Sequence, residues 1–483
     1  MQIVVTTYSI RSIETSPPLA RSFPQSAKSH AADTDQGLPV PQRYWALLPV
    51  LLGVCLAVLD GAIANVALPT IAKNLHTAPA DAIWIVNAYQ LAITISLLPL
   101  SSLGDRVGYR RVFIFGLSLF TLASLVCAMS DSLPLLCTAR VAQGFGAAGL
   151  MSVNGALVKV IFPKALLGRA IGFNASVVAT ASVVGPTIAS GVLSLATWPW
   201  LFVINLPIGI AALIIGVKTL PRTSGNREPY DYLSALMNAA FFGIAITAVD
   251  GIGHGEYLPL VGTQLLAAAI VGYFFVRRQL NRAAPLLPVD LLKIPVFALS
   301  IGTSFCSFAA QMLALVALPF LMQDSFGLTQ VQTGLLMTTW PLTIIVMAQI
   351  SGRLADHFSA GVLGAIGLTI FALGLISLGT LSAHPSHVAV IWRMVVCGAG
   401  FGLFQSPNNR QMMSSAPRHR SGGASGMLST ARLSGQTTGA ALVALLFGLA
   451  THNGPRLALF VATVFAVAAA MVSFARTIGR DED

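Results

Sequence analysis

The sequence predicts an all-α integral membrane protein, and three observations carry that prediction. The charge content is too low for a water-facing surface, the apolar runs are long enough to cross a bilayer, and landmarks recur about 250 residues apart. Of 483 residues, 55% are hydrophobic and 9% charged, with a mean hydropathy of +0.77. Soluble domains carry roughly 25% charged residues. A soluble enzyme, a disordered chain and a fibrous protein are thereby excluded. An outer-membrane barrel is excluded by pattern: its strands alternate apolar and polar over about ten residues, whereas Leu258–Val276 is an apolar run interrupted only by Thr263 and Gln264. Such a run spans a ~30 Å hydrocarbon core as helix, which satisfies its own backbone groups.

Apolar runs read against loop signals give fourteen spans. They lie near 46–68, 82–103, 111–129, 133–156, 168–192, 199–217, 232–251, 258–276, 296–321, 330–351, 360–382, 388–409, 424–449 and 456–475. Residues 1–44 are polar, rich in Ser, Pro and Thr, and lack an apolar signal-peptide core. They are expected to be a disordered cytoplasmic tail. The five cysteines sit inside apolar runs without metal-ligand spacing and read as reduced packing residues.

An even number of spans puts both termini on one side, and the basic residues choose it. Twenty-three of 28 Lys and Arg fall on the side of the termini, two on the other, and three (Arg140, Arg393, Arg432) inside spans. That asymmetry predicts cytoplasmic termini in a cytoplasmic (inner) membrane. It also explains the net charge of +11 without invoking nucleic acid.

Three sets of landmarks recur. Asp105 follows span two as Asp356 follows span ten, 251 residues on. Arg140 with Gly144 and Gly146 resembles Arg393 with Gly398 and Gly400, the arginines 253 apart. Gly172 and Gly185 recur as Gly426 and Gly439, 254 apart. Near-constant offsets predict two six-helix bundles, 45–218 and 296–475, with two inserted helices at 232–276. A linker (219–231), a loop (277–295) and a C-terminal tail (476–483), all cytoplasmic, complete the chain. Parallel repeats of this kind place a substrate between halves near the membrane midplane.

No Gly-Lys dipeptide exists, so there is no phosphate loop, and no nucleophile elbow or HExxH zinc motif appears. Neither a cofactor nor a metal is expected, and an ion gradient is the simplest energy source. Ionisable groups in spans cost about 2.5–3.5 kcal/mol on insertion scales and are functional candidates by default. Asp60 is the one acid well inside the membrane. It is the candidate proton carrier, with a structural partnership to a buried arginine as the plainer alternative. Its depth matches that of Arg140: at 1.5 Å per residue both lie roughly 10–12 Å below the outer surface. Arg393 lies near a span end, where it can snorkel. Arg432, well inside span thirteen, points to a hydrated cavity.

The loop Leu103–Arg111 sets an acid among bases and helix ends. Asp105 is expected to cap span three and pair with arginines of a neighbouring helix, a latch that also holds Arg106, Gly108 and Arg110. Gly185 and Pro186, with Gly191, are expected to kink span five and let a neighbour approach closely. Trp340, before Pro341, is a candidate pocket wall for flat apolar ligands.

Together these motifs resemble the major facilitator superfamily, and within it the fourteen-helix drug:proton antiporters. The resemblance covers about 45–475. Leu59-Asp60 with Asn65 to Pro69 is similar to the family's first-helix motif, with Ala62 in place of a usual threonine. The 101–111 loop resembles the superfamily's signature loop, with Ser101 at a usual glycine. Arg140, Gln143 and Gly144 resemble the fourth-helix motif associated with proton coupling, and Gly185, Pro186 and Gly191 the fifth-helix antiporter motif.

The resemblance implies a major facilitator-like fold and a secondary transporter rather than an enzyme: a proton-coupled multidrug exporter working by alternating access. Spans ten and thirteen lack the extra acids that some fourteen-helix relatives carry. The expected cargo is therefore amphiphilic and monocationic or neutral, with poor export of dications. An exporter of one endogenous metabolite, such as an amino acid or siderophore-like anion, is the alternative. The expected partners are amphiphilic small molecules, protons and the lipid bilayer.

Overall fold

The computed structural model describes residues 37–223, 225, 230–253, 255–282, 285–417, 420–450 and 453–478. Most of the expected N-terminal tail, parts of 219–231 and 277–295, and residues 479–483 lie outside the described residues. Fourteen long helices account for the described chain. The first half contains α1 (Gln42–Asn74), α2 (Trp84–Val107, led in by the turn Pro79–Ala82), α3 (Tyr109–Ala128) and α4 (Leu133–Ile161). It continues with α5 (Leu167–Leu195) and α6 (Asn205–Thr219, led in by Trp200–Val203). The inserted pair is α7 (Tyr232–Gly253) and α8 (Leu258–Leu280). The second half contains α9 (Pro295–Phe320), α10 (Gln330–Leu354), α11 (Ala360–Gly379), α12 (His387–Ser415), α13 (Ser421–Leu449) and α14 (Gly454–Ile478).

Thirteen of these, among the described residues, are long and apolar enough to cross a membrane by length and composition. The exception, α13, carries Arg432, Ser434, Gln436, Thr437 and Thr438 along its middle. Several helices overrun the expected spans. With 33 residues, α1 is about 50 Å long, well beyond a ~30 Å apolar core. Likewise α14 reaches Ile478, so Arg476, expected in a tail, lies in a helix and is buried.

In a bilayer, helix association rests on close packing rather than on hydrophobic burial, so small residues mark the contacts. The repeat is visible there. A Cβ on Gly144 of α4 would stand 2.6 Å from the backbone oxygen of Tyr89 in α2. A Cβ on Gly398 of α12 would stand 2.6 Å from the backbone oxygen of Trp340 in α10. These equivalences run at offsets of 254 and 251 residues. They correct one pairing: in this register the counterpart of Arg140 is Met394, not Arg393. Arg393 is one residue, about 100°, further round its helix. Its guanidinium bonds to the backbone oxygens of Ser377 (3.0 Å) and Ala389 (2.8 Å) near the helix start.

With an even helix count, Gln42 and Ile478 share one end of the bundle. At the opposite end the halves are pinned together. Lys73 pairs with Asp324 at 2.7 Å, and the Thr187 and Thr338 hydroxyls lie 2.8 Å apart. Gly334 of α10 fits against the Pro186 oxygen and Ser190 of α5. Toward the termini end, α5 and α10 instead present exposed apolar side chains, among them Ile171, Phe173, Leu342 and Val346. The contacts that join α5 to α10 through Thr187–Thr338 and Gly334 thus lie away from the termini. The inserted pair packs beside the seam between α2 and α13. Trp84 donates to Asp250 of α7 at 2.9 Å, and α7 meets α13 backbone to backbone at Gly253 and Gly448.

Candidate functional site

A cavity of about 490 Å³ lies between the halves, within the usual size range of small-molecule sites. Its walls come from α1, α2, α4 and α5 on one side and α9, α10, α12 and α13 on the other. The second half contributes an aromatic wall. Trp340, 1% exposed, meets Phe371 edge-on at 5.6 Å, and Phe371 in turn meets Phe401 at 5.6 Å.

The first half contributes charge. Asp60 of α1 and Arg140 of α4 are 2% and 0% exposed and form a buried ion pair. Arg140 is held from several sides. Its Nε donates to the Ile85 oxygen at 3.0 Å, and Nη1 also donates to Gln143 Oε1 at 2.6 Å. Its guanidinium stacks 4.1 Å from the Tyr89 ring centre, a cation–π contact strengthened by the dry site. Asp60 Oδ1 accepts from Gln143 Nε2 and from Asn205 Nδ2, each at 2.8 Å. Gln143 Nε2 also donates to Ser124 Oγ at 2.8 Å. Five helices, α1, α2, α3, α4 and α6, thus converge on one carboxylate. Arg140 and Tyr89 face the cavity, and Asp60 sits behind them.

The sequence singled out Asp60, Arg140 and Gln143, and the structure brings them together. Asn205 and Ser124 were missed, because a neutral side chain in an apolar run carries no charge signal. Gly144 is where α4 touches α2, and Gly185 is where α5 touches α1, a Cβ there standing 2.6 Å from Ala62 Cβ. Gly191 is different: nothing lies within 4 Å of its Cβ position, so it mediates no close approach.

The Leu103–Arg111 loop departs from expectation. Asp105 does not cap α3, whose leading residue Gly108 carries no side-chain cap. Its carboxylate accepts at 2.7 Å from the hydroxyl of Tyr109, the first residue of α3. Arg110 donates to the Val217 oxygen at 2.5 Å, and Arg106 lies 5.8 Å from the Tyr230 ring centre. Gly108 has φ +96°, with Thr223 backbone oxygen 2.4 Å from its Cβ position, a place only glycine fills. These contacts run to α3, α6 and the 219–231 linker.

Arg432 reaches the cavity from α13, and its Nε has no partner. Among the described residues, no cluster of His, Cys, Asp and Glu is arranged to hold a metal. Arg476, 4% exposed, forms a second polar cluster in the second half. It bonds to Asn408 Oδ1 at 2.6 Å and Ser300 Oγ at 2.9 Å.

Known proteins share this architecture. The profile of the Major Facilitator Superfamily matches residues 50–440 and 301–482. The chain belongs to that superfamily. It is 56% identical to the uncharacterized transporter YebQ of Escherichia coli (strain K12), over 90% of this chain and 96% of YebQ. It is 30% identical to the riboflavin transporter RibZ of Clostridioides difficile (strain 630), over 81% of this chain and 85% of RibZ. It is 31% identical to the multidrug resistance protein Stp of Mycobacterium tuberculosis (strain ATCC 25618 / H37Rv), over 82% of this chain and 74% of Stp. The protein is a multi-pass membrane transporter, not an enzyme.

Proposed function

We propose that this transporter exports amphiphilic compounds from the cytoplasm in exchange for protons, by alternating access of its two halves in the cytoplasmic membrane. The observation that carries the reading is the Asp60–Arg140 pair, sealed from water directly behind a cavity wall. Protonating Asp60 removes the charge that Arg140 pairs with. Proton binding and rearrangement of that wall are therefore one linked event. The excess of Lys and Arg at the termini end assigns that end to the cytoplasm. On that assignment the contacts that pin α5 to α10 lie at the outer end, and cargo would load from the cytoplasm. Asp105, Arg106, Gly108 and Arg110 would fasten the α2–α3 turn to the linker in this state and release it in the other.

The predominantly apolar, aromatic wall supports amphiphilic cargo, as does the likeness to a multidrug resistance protein. Among the described lining residues there is no carboxylate, so the wall supports neutral cargo over the cationic cargo also expected from sequence. Export of a single metabolite is the second reading, favoured by the amide side chains Gln90, Gln311, Gln405 and Gln436 on the wall and by the likeness to a riboflavin transporter.

The test is the pH change produced by adding candidate compounds to energised inverted vesicles. Proton release from the vesicle lumen on adding several unrelated amphiphiles, lost in Asp60→Asn, is the expected result. Response to one metabolite alone selects the second reading. Undiminished proton movement in Asp60→Asn rejects the coupling role.

A further inference from the structure

Two charged side chains line the cavity, and they are not alike. Arg140 is neutralised by Asp60. Arg432, half-buried on α13, makes no hydrogen bond or ion pair among the described residues, and its Nε is shut off from both water and protein acceptors. Trp340 Nε1 and Arg140 Nη2, from residues of the same wall, also lack acceptors, but both atoms are closed off from the cavity. No carboxylate among the lining residues offsets Arg432. Unpaired buried donors and charges are costly unless a partner arrives. Among the described residues Arg432 is thus the charged side chain of the wall that lacks a counter-charge.

We propose that the cavity binds amphiphiles bearing one anionic group, a carboxylate or its equivalent, with Arg432 as the charge partner. The apolar body of such a molecule lies against the aromatic wall near Trp340. Its anionic end is met by Arg432 and by the amides of Gln436, one turn away, and Gln90, which bonds to Gln436 at 3.3 Å. This inference rests on the reading that the cavity holds the cargo, and it replaces the monocationic or neutral cargo that the resemblance implied.

Three fluorescent molecules sharing one flat body test it: 1-pyrenebutyric acid, its carboxamide, and 1-pyrenebutylamine. Displaceable binding is measured on the purified full chain in nanodiscs. Wild-type protein is expected to bind the acid about tenfold tighter than the amide, the amine most weakly, in line with a charge-assisted hydrogen bond. Arg432→Gln removes the acid's advantage over the amide, while Arg432→Lys, which keeps the charge, retains part of it. An acid bound no tighter than its amide overturns the proposal, as does an advantage that survives Arg432→Gln. If the amide binds and Trp340→Ala weakens it while the acid gains nothing, the cavity reading stands and the anion preference falls. If none of the three binds, both fall together.

Discussion

Tyr89 and Trp340 occupy the same place in the two halves. The backbone oxygen of each is the surface against which a glycine packs, Gly144 for one and Gly398 for the other. The symmetry of the backbone is not repeated in the chemistry. Tyr89 stacks on Arg140 beside a buried carboxylate, whereas Trp340 opens a row of aromatic rings. On the proposed reading one half would handle a proton and the other would hold an apolar body.

The close approaches at Gly144 and Gly398 give a first prediction. Gly144→Ala and Gly398→Ala each drive a methyl into a backbone oxygen 2.6 Å away. Each is expected to destabilise the protein by about 1–3 kcal/mol, the usual cost of overpacking. Gly172→Ala, with nothing within 4 Å, serves as the control and is expected to be neutral. Thermal unfolding of detergent-purified protein measures all three, and equal midpoints would show that the approach is relieved by helix movement.

Removing one partner of the buried pair leaves a stranded charge. Asp60→Asn keeps an oxygen for the amides of Gln143 and Asn205 but leaves Arg140 uncompensated, at an expected cost of about 3–5 kcal/mol. The double variant Asp60→Asn, Arg140→Gln is expected to lose less than the sum of the two single variants. Additive losses in denaturation would mean that the two side chains do not couple.

The hydroxyls of Thr187 and Thr338 meet at 2.8 Å at the end away from the termini. Paired cysteines at these positions, in a background lacking the five native ones, are expected to cross-link readily under oxidant. Transport should stop and return on reduction, while binding of ligand from the termini end persists. Full transport by the oxidised protein would show that the two halves need not separate there.

At the termini end, Asp231 joins α7 to α8 through Arg278 at 2.8 Å. Partial burial pushes the Asp231 carboxyl up, but hydrogen bonds from Arg278 and Ser234 outweigh it and hold it at about 2. Its folded value is depressed, so its contribution is complete above the unfolded value near 3.9 and is lost as pH falls toward about 2. Asp231→Asn is therefore expected to lower the unfolding midpoint equally at pH 6 and pH 8, by an amount worth about 1 kcal/mol or less. A loss that differs between those two pH values would show that the carboxylate titrates in that range.

Charge made part of this site legible from sequence. Asp60 and Arg140 could be paired in advance because each stands alone in an apolar run and the 1.5 Å rise converts residue number into depth. Asn205, Ser124 and the wall glutamines share the same network or cavity, yet a neutral polar residue in a membrane run is too common to single out. Arg393 was matched to Arg140 at an offset one residue off, because a lone arginine marks a region of sequence but not a face of a helix. Arg476 was missed for the opposite reason. Hydropathy fades before the helix ends, while the partners that bury it, Asn408 and Ser300, sit on distant helices. Asp105 was read from its charged neighbours, and among the described residues its hydrogen bond comes from an uncharged tyrosine at the start of α3.

The inserted hairpin is fastened on both sides of the seam, by Trp84–Asp250 to α2 and by Gly253–Gly448 to α13. It therefore straps the seam at the end away from the termini. If the two halves separate at that end as proposed, one fastening must give, and whichever holds decides which half carries the hairpin as passenger. The threshold for such an opening would then be tunable at Trp84, Asp250, Gly253 and Gly448, none of which lines the cavity.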